Sequence, residues 1–280
     1  MIGTYASAAL ICAVSLLVGR AILLLAGRRD WTWLEPAVGL GAALTATGVG
    51  ARAPGHGTSS TLLLAALIAI AATVIWRFHS SAPAPSAGAG ADPAGHSNPS
   101  AGGRLSPRPH LWREGLPVAL LVLLVLAIPF AVSNRWGLLG VGFNNDLGLH
   151  LAWAEWLRSG FGPAPDAGYP LGPHGLAVAT AAVPGIDLGQ AFLGEIIAIG
   201  LMTALTALGA LQAMTPTRRT IAAAMVALTY LGTSYYAQGA FKELAEALLV
   251  LAFAIYLHLQ LYLTKQGAAA PEEVGQCRGS

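Results

Sequence analysis

Asp146 and His150 stand four residues apart in the run Asn144-Asn145-Asp146-Leu147-Gly148-Leu149-His150, and His174 closes a second run, Tyr169-Pro170-Leu171-Gly172-Pro173-His174. Positions four apart on a helix share a face, so the carboxylate and the imidazole point the same way. Together they can accept a proton, hold a divalent cation or orient a hydroxyl. An Asp at a helix start is most often only a cap, and His174 reads equally as an interfacial polar residue without a ligand. What sets the pair apart is its place, in a long segment outside the apolar runs of a charge-poor chain. Two Pro and two Gly around Tyr169 predict a sharp turn that returns His174 toward the membrane surface.

The elements that must position these residues follow from composition. Hydrophobic residues make up 55% of the 280 positions and charged residues 10%, and the mean hydropathy is +0.62. Soluble chains carry roughly 25% charge, so the class is all-α and polytopic, a transmembrane helical bundle of about seven spans with a large outer loop that contains short interfacial helices. Residues 1–78 hold three spans, the middle one Ala/Gly-rich, and residues 116–134 a fourth that is nearly pure Leu, Val and Ala. Residues 189–263 hold three more, expected near Gln190–Met214, Thr220–Tyr236 and Leu244–Leu263. Each approaches the roughly 20 residues needed to cross hydrocarbon. Residues 79–115 are rich in Ala, Pro, Gly and Ser and cannot bury enough apolar surface to fold, so a disordered cytoplasmic loop is expected there. Residues 264–280 form a cytoplasmic tail. Cys12 and Cys277 read as unpaired thiols, and nothing suggests nucleic acid.

Orientation follows from the basic residues. With an outside N-terminus the inner connections collect Arg28, Arg29, Arg77, Arg104, Arg108, Arg113, Arg218 and Arg219, while the outer ones hold only Arg52, Arg135, Arg158 and Lys242. Cytoplasmic loops carry the excess of Lys and Arg. Residues 135–188 therefore lie on the outer face of a plasma membrane. There Asn144, Asn145 or Asp146 caps a helix that ends at Ser159-Gly160, with Leu147, Leu151, Ala154 and Leu157 on one side and Trp153 and Trp156 suited to the membrane surface. Glu155 and Asp166 read as solvated charges, and Glu195 as a helix-packing contact or a pocket wall. Lys242-Glu243 with Glu246 stands at the outer end of the last span, where charge is costly unless it pairs or works. A plain Lys242/Glu246 pair at spacing four is one reading, and a phosphate-holding role is the other.

Asn145-Asp146-Leu147-Gly148-Leu149-His150, the later Tyr169-Pro170-Leu171-Gly172-Pro173-His174, and Gln238-Gly239-Ala240-Phe241-Lys242-Glu243-Leu244 together resemble the GT-C superfamily of polytopic membrane glycosyltransferases, in particular its actinobacterial-type members. The resemblance implies a sugar moved from a polyprenyl-phosphate donor to a glycan or lipid acceptor of the envelope, at the extracytoplasmic membrane surface. By position it makes Asp146 the catalytic carboxylate and lines the same pocket with His150, His174 and Tyr169. Arg135, Arg158 and Lys242, with Glu243 beside it, are the candidates for the phosphate side. No metal ligand set is implied, although a divalent cation, Mg or Mn, would suit such chemistry. Family members have more spans than seven and often a soluble outer domain, so the resemblance also implies a further membrane subunit or a C-terminal portion. Its large loop generally follows the first span, whereas here it follows the fourth. Two other classes stand beside it: a non-catalytic membrane subunit of an envelope assembly, and a transporter, for which Pro117, Pro129 and Glu195 would be the signs.

Overall fold

A computed structural model describes residues 2–80, 109–134 and 146–268. Ten helices occur among them: α1 Ile2–Leu25, α2 Glu35–Arg52, α3 Gly57–Ser80, α4 Pro109–Ser133, α5 Asp146–Ser159, α6 Gly172–Ala181, α7 Leu188–Ala210, α8 Pro216–Ala227, α9 Tyr230–Gln238 and α10 Lys242–Ala268. No strand is found among the described residues. Five helices are long and apolar enough to cross a membrane: α1, α3, α4, α7 and α10. The chain is thus all-α with several helices compatible with a membrane. The expected disordered loop and the end of the expected tail fall outside the described residues. At their edges α4 begins at Pro109 and α10 runs on to Ala268, both beyond the boundaries expected from composition.

The bundle is built around α7, which packs against α1, α10, α8, α6 and α4. Its start is fixed by a reciprocal cap. Asp187 Oδ1 accepts from the Gln190 amide at 2.8 Å, and Gln190 Oε1 accepts from the Asp187 amide at 3.2 Å. Such a capping box satisfies two of the free amides at a helix start. Glycine decides how α1 and α2 meet. A Cβ on Gly39 would lie 1.7 Å from the Ser15 carbonyl oxygen, and one on Gly19 would lie 1.9 Å from that of Glu35. Backbones that approach this closely are how apolar helices pack where there is no hydrophobic drive between them. The turn between these two helices is closed by the buried Glu35 carboxylate, which accepts from the Thr32 amide and faces Arg20 at 3.6 Å.

Where a sixth span was expected, two short helices form, neither of them among the five of membrane length. Thr229 separates them: its backbone is extended, and its hydroxyl accepts from the Gly232 amide at 3.2 Å, capping a new helix start. A side-chain oxygen that caps locally competes with continued helix, so α8 and α9 form where one helix was expected. The two follow α4 along its length. Arg219 on α8 reaches Glu114 at 2.8 Å, and Tyr236 on α9 donates to the Leu126 carbonyl at 3.1 Å.

Arg219 also donates from Nε and Nη2 to the Leu208 carbonyl, at 3.2 and 2.7 Å, so one guanidinium ties α8 to both α4 and the end of α7. Arg219→Met is expected to destabilise the fold by about 2 kcal/mol, since it strands a partly buried carboxylate and a helix-end carbonyl. Thermal unfolding in detergent reads this directly, and an unchanged midpoint would show that water replaces the guanidinium.

Candidate functional site

α5 forms over the expected residues and ends as expected, with Gly160 in the left-handed region at φ +75°. Its apolar side packs inward, however. Trp153 is buried among aromatic rings rather than lying at the membrane surface, because α6, α7 and α3 cover that side of the helix. Trp156 stacks obliquely on His56, with centroids 4.7 Å apart.

The run expected to make a turn before His174 makes a helix start instead. Pro173 stands in the first turn of α6, where its missing N–H costs nothing and its fixed φ suits the helix. Two glycines then press α6 onto α2. A Cβ on Gly172 would lie 2.5 Å from the Leu44 carbonyl oxygen, and one on Gly175 would lie 2.7 Å from that of Thr47. The Thr47 hydroxyl donates to the Gly172 carbonyl at 2.8 Å. His174, between these glycines, is therefore driven into the interior and is fully buried, not at the surface.

There it meets His150. The two imidazoles approach to 3.1 Å between His150 Nδ1 and His174 Nε2, so one of these nitrogens carries a proton and the other accepts it. Tyr169 closes the group, its ring centroid 5.9 Å from His150 and 5.7 Å from His174. Trp153, Phe192 and Phe241 complete the walls, with Phe241 4.8 Å from the His150 ring. Lys242 holds its ammonium 5.2 Å from the centre of the Tyr169 ring, a cation–π distance. No Lys242–Glu246 ion pair forms among the described residues. Arg52 donates to the Tyr169 carbonyl at 3.2 Å, which anchors this residue from the end of α2.

Several polar atoms here are buried without a partner: His174 Nδ1, the Tyr169 hydroxyl and Glu243 Oε2. Buried polar groups are normally hydrogen-bonded, so these three mark a place where a polar ligand could complete the structure. One turn beyond Phe192 on α7, both carboxylate oxygens of Glu195 are in the same condition. Of the two readings of Glu195, a helix-packing contact or a pocket wall, its carboxylate makes no helix-packing hydrogen bond among the described residues.

The remaining candidates divide. Asp146 is the first residue of α5, one turn before His150, and its side chain lies outside the described residues, as does all of Arg135. The corner between α9 and α10 abuts that end of α5: a Cβ on Gly239 would lie 2.9 Å from Leu147 Cβ. Lys242, Glu243 and the start of α10 are thus brought to the Asp146 end. Arg158 is not part of the group. It pairs with Glu155 at 2.7 Å near the far end of α5, beside Gly57 and Val178. Eight residues of helix separate it from His150, about 12 Å of rise. Phe192 and Phe241 were not legible as site residues, since nothing in their local sequence distinguishes them from core.

Burial, then the positive charge of His150 and of Lys242, push the His174 imidazole down to about 3. It is neutral at physiological pH and acts as a hydrogen-bonding group, not as an acid. A histidine with an unfolded value near 6.5 then binds its proton more readily in the unfolded chain. Stability is fully present above pH 6.5 and falls as pH drops from there toward 3, by up to about 1.4 kcal/mol per unit. His174→Gln is expected to flatten this slope, as read by thermal unfolding in detergent between pH 7.5 and 4.5; an equal slope in both proteins would place the titrating group elsewhere.

Among the described residues no three His, Cys, Asp or Glu side chains are placed to hold a metal ion together. The two histidines share one contact with each other, so the described donors do not make up a site for a divalent cation. No family model, curated protein or solved structure matches the chain.

Proposed function

We propose that the chain is a membrane glycosyltransferase of the GT-C kind, transferring a sugar from a polyprenyl-phosphate donor to an envelope acceptor at the outer face of the plasma membrane. The observation that carries this reading is the convergence of α5, α6 and α10. A buried His150–His174 pair with Tyr169 stands one turn beyond Asp146, and Lys242 lies over Tyr169. The rings of His150, His174 and Tyr169 are in mutual contact, which supports the reading.

In this reading the Asp146 carboxylate takes the proton of the acceptor hydroxyl as its oxygen bonds to the sugar's anomeric carbon. The bond from that carbon to the phosphate oxygen breaks, and the phosphate leaves with the electron pair. Lys242 and the N-terminal end of α10 supply positive charge where the negative charge grows. Neutral His174 and the Tyr169 hydroxyl hold the sugar by hydrogen bonds. The topology that goes with it has seven crossings, with α2 as the second and α8–α9 as the sixth. The course of α8–α9 along α4 supports the latter.

The test is incorporation of radiolabelled sugar from polyprenyl-phosphate donors into membrane extract, comparing vesicles with and without the chain. Incorporation that depends on the chain supports the reading. Absence of chain-dependent incorporation, with the protein inserted, would favour a non-catalytic subunit of an envelope assembly.

A further inference from the structure

At the opposite end of the bundle from the histidines, α1 and α4 both pack on α7 and leave a cleft of about 250 Å³ between them. Its walls are Leu16 of α1, Trp31 and Trp33 of the connection to α2, Leu116 and Ala119 of α4, and Leu205 of α7. These side chains are apolar apart from the two indole N–H groups, and one of those stands out. Trp31 Nε1 is buried and has no hydrogen-bond acceptor. A buried indole N–H normally finds a partner, so the cleft presents a donor in an otherwise apolar wall.

The indoles are not placed there casually. Trp33 is held at φ +63°, a conformation rare for a bulky residue. Its ring meets Trp31 edge to face at 5.8 Å. A Cβ on Gly115 would lie 2.8 Å from Trp33 Cη2, so α4 carries a glycine where the indole passes. Arg113 is exposed one turn before Leu116 and makes no ion pair among the described residues. Residues three apart on a helix are neighbours, which puts a cation at the rim. Arg28 and Arg29, from the other wall, are on the same end of the bundle.

We infer that this cleft is a binding site for an anionic phospholipid of the inner leaflet. One acyl chain lies along Leu16, Leu116, Ala119 and Leu205. An ester or phosphate oxygen accepts from Trp31 Nε1, and the headgroup charge is met by Arg113. Half-exposed Leu116 opens the cleft to the bilayer, so the chain enters sideways from the membrane. Basic pockets between helices on the cytoplasmic side take acidic headgroups, while a zwitterionic lipid brings its own cation to the phosphate and leaves the positive charge of Arg113 uncompensated. The inference uses the proposed orientation but not the proposed catalysis.

The experiment is native mass spectrometry of the full chain purified in detergent, with phosphatidylglycerol or phosphatidylcholine of the same acyl chains added. Phosphatidylglycerol is expected to form a one-lipid adduct well above that of phosphatidylcholine. Trp31→Phe keeps a ring and removes the donor, and Arg113→Gln removes the charge. Each is expected to lower phosphatidylglycerol occupancy roughly tenfold, the worth of one hydrogen bond to a charged group. Ala119→Phe fills the cleft and is expected to abolish the adduct. Equal retention of the two lipids, or an adduct indifferent to Trp31→Phe, would overturn the assignment. Should Ala119→Phe fail to yield folded protein, the Trp31→Phe comparison decides alone.

Discussion

Asp146→Asn is expected to reduce sugar transfer by about 10²- to 10⁴-fold, the range that a positioned general base contributes. The substitution is chosen to separate chemistry from folding. Asn caps a helix start as well as Asp does, so α5 should still begin at residue 146 and still carry His150 and Trp153 into the aromatic group. What Asn cannot do is take a proton from a hydroxyl. Incorporation of labelled sugar should vanish in vesicles that hold as much inserted variant as wild type. Retained transfer would rule out Asp146 as the base. The neighbouring groups could not easily replace it: burial, foremost, pushes the His174 imidazole down to about 3, so it holds a proton too weakly to serve as the base, and Arg158 points to the other end of α5, paired with Glu155.

Gly172→Val should be nearly as damaging, for a different reason. The added atoms meet the Leu44 carbonyl oxygen at 2.5 Å, and that atom belongs to the backbone of α2, which cannot swing away as a side chain can. Either α6 lifts from α2, breaking the 2.8 Å bond from the Thr47 hydroxyl to the Gly172 carbonyl, or the whole helix shifts. Such overpacking costs about 3 kcal/mol or more when backbone must move. The larger expected effect is on the site, because His174 is two residues away and its 3.1 Å contact with His150 depends on the seat of α6. A displacement near 1 Å at a reacting centre is worth about 10²-fold in rate. Transfer should fall by at least that factor, together with a lower thermal midpoint in detergent. Normal activity and an unshifted midpoint would show that α6 is not held by this contact. Gly39→Val offers the comparison, since it disturbs α1 and α2 away from the histidines and should lower stability first.

Much of the architecture was open to inspection in the chain. Long apolar runs must be helices in a membrane because no water is present to satisfy their backbone, and five of the expected spans are long apolar helices. The end of α5 follows from Ser159-Gly160, with Gly160 in the left-handed region. The break at Thr229 was less visible, since the hydroxyl's cap exists only once the chain has turned, although the run of Gly232, Thr233, Ser234, Tyr235 and Tyr236 after it is less apolar than the other spans. The helix at Gly172 was masked by its own turn signals: Pro and Gly close together suggest a loop, and they begin a helix when Pro falls in its first turn.

For the site, spacing along one strand of sequence placed Asp146 and His150 on one helix face, and residue chemistry singled out His174, Tyr169 and Lys242. Neither could say that His150 and His174 touch. That is a contact between α5 and α6 across 24 positions, and it rests on two glycines that let α6 settle against the α2 carbonyls. Nor could sequence separate Arg158, an exposed ion pair, from Lys242, which lies over an aromatic ring. The sequence by itself determined the class, a helical chain with membrane-length apolar spans, because hydropathy and helix periodicity are local properties that each segment carries alone. Only the tertiary structure decided which polar residues are buried together, because burial depends on how closely distant backbones can approach, and that is set by the neighbour each helix meets.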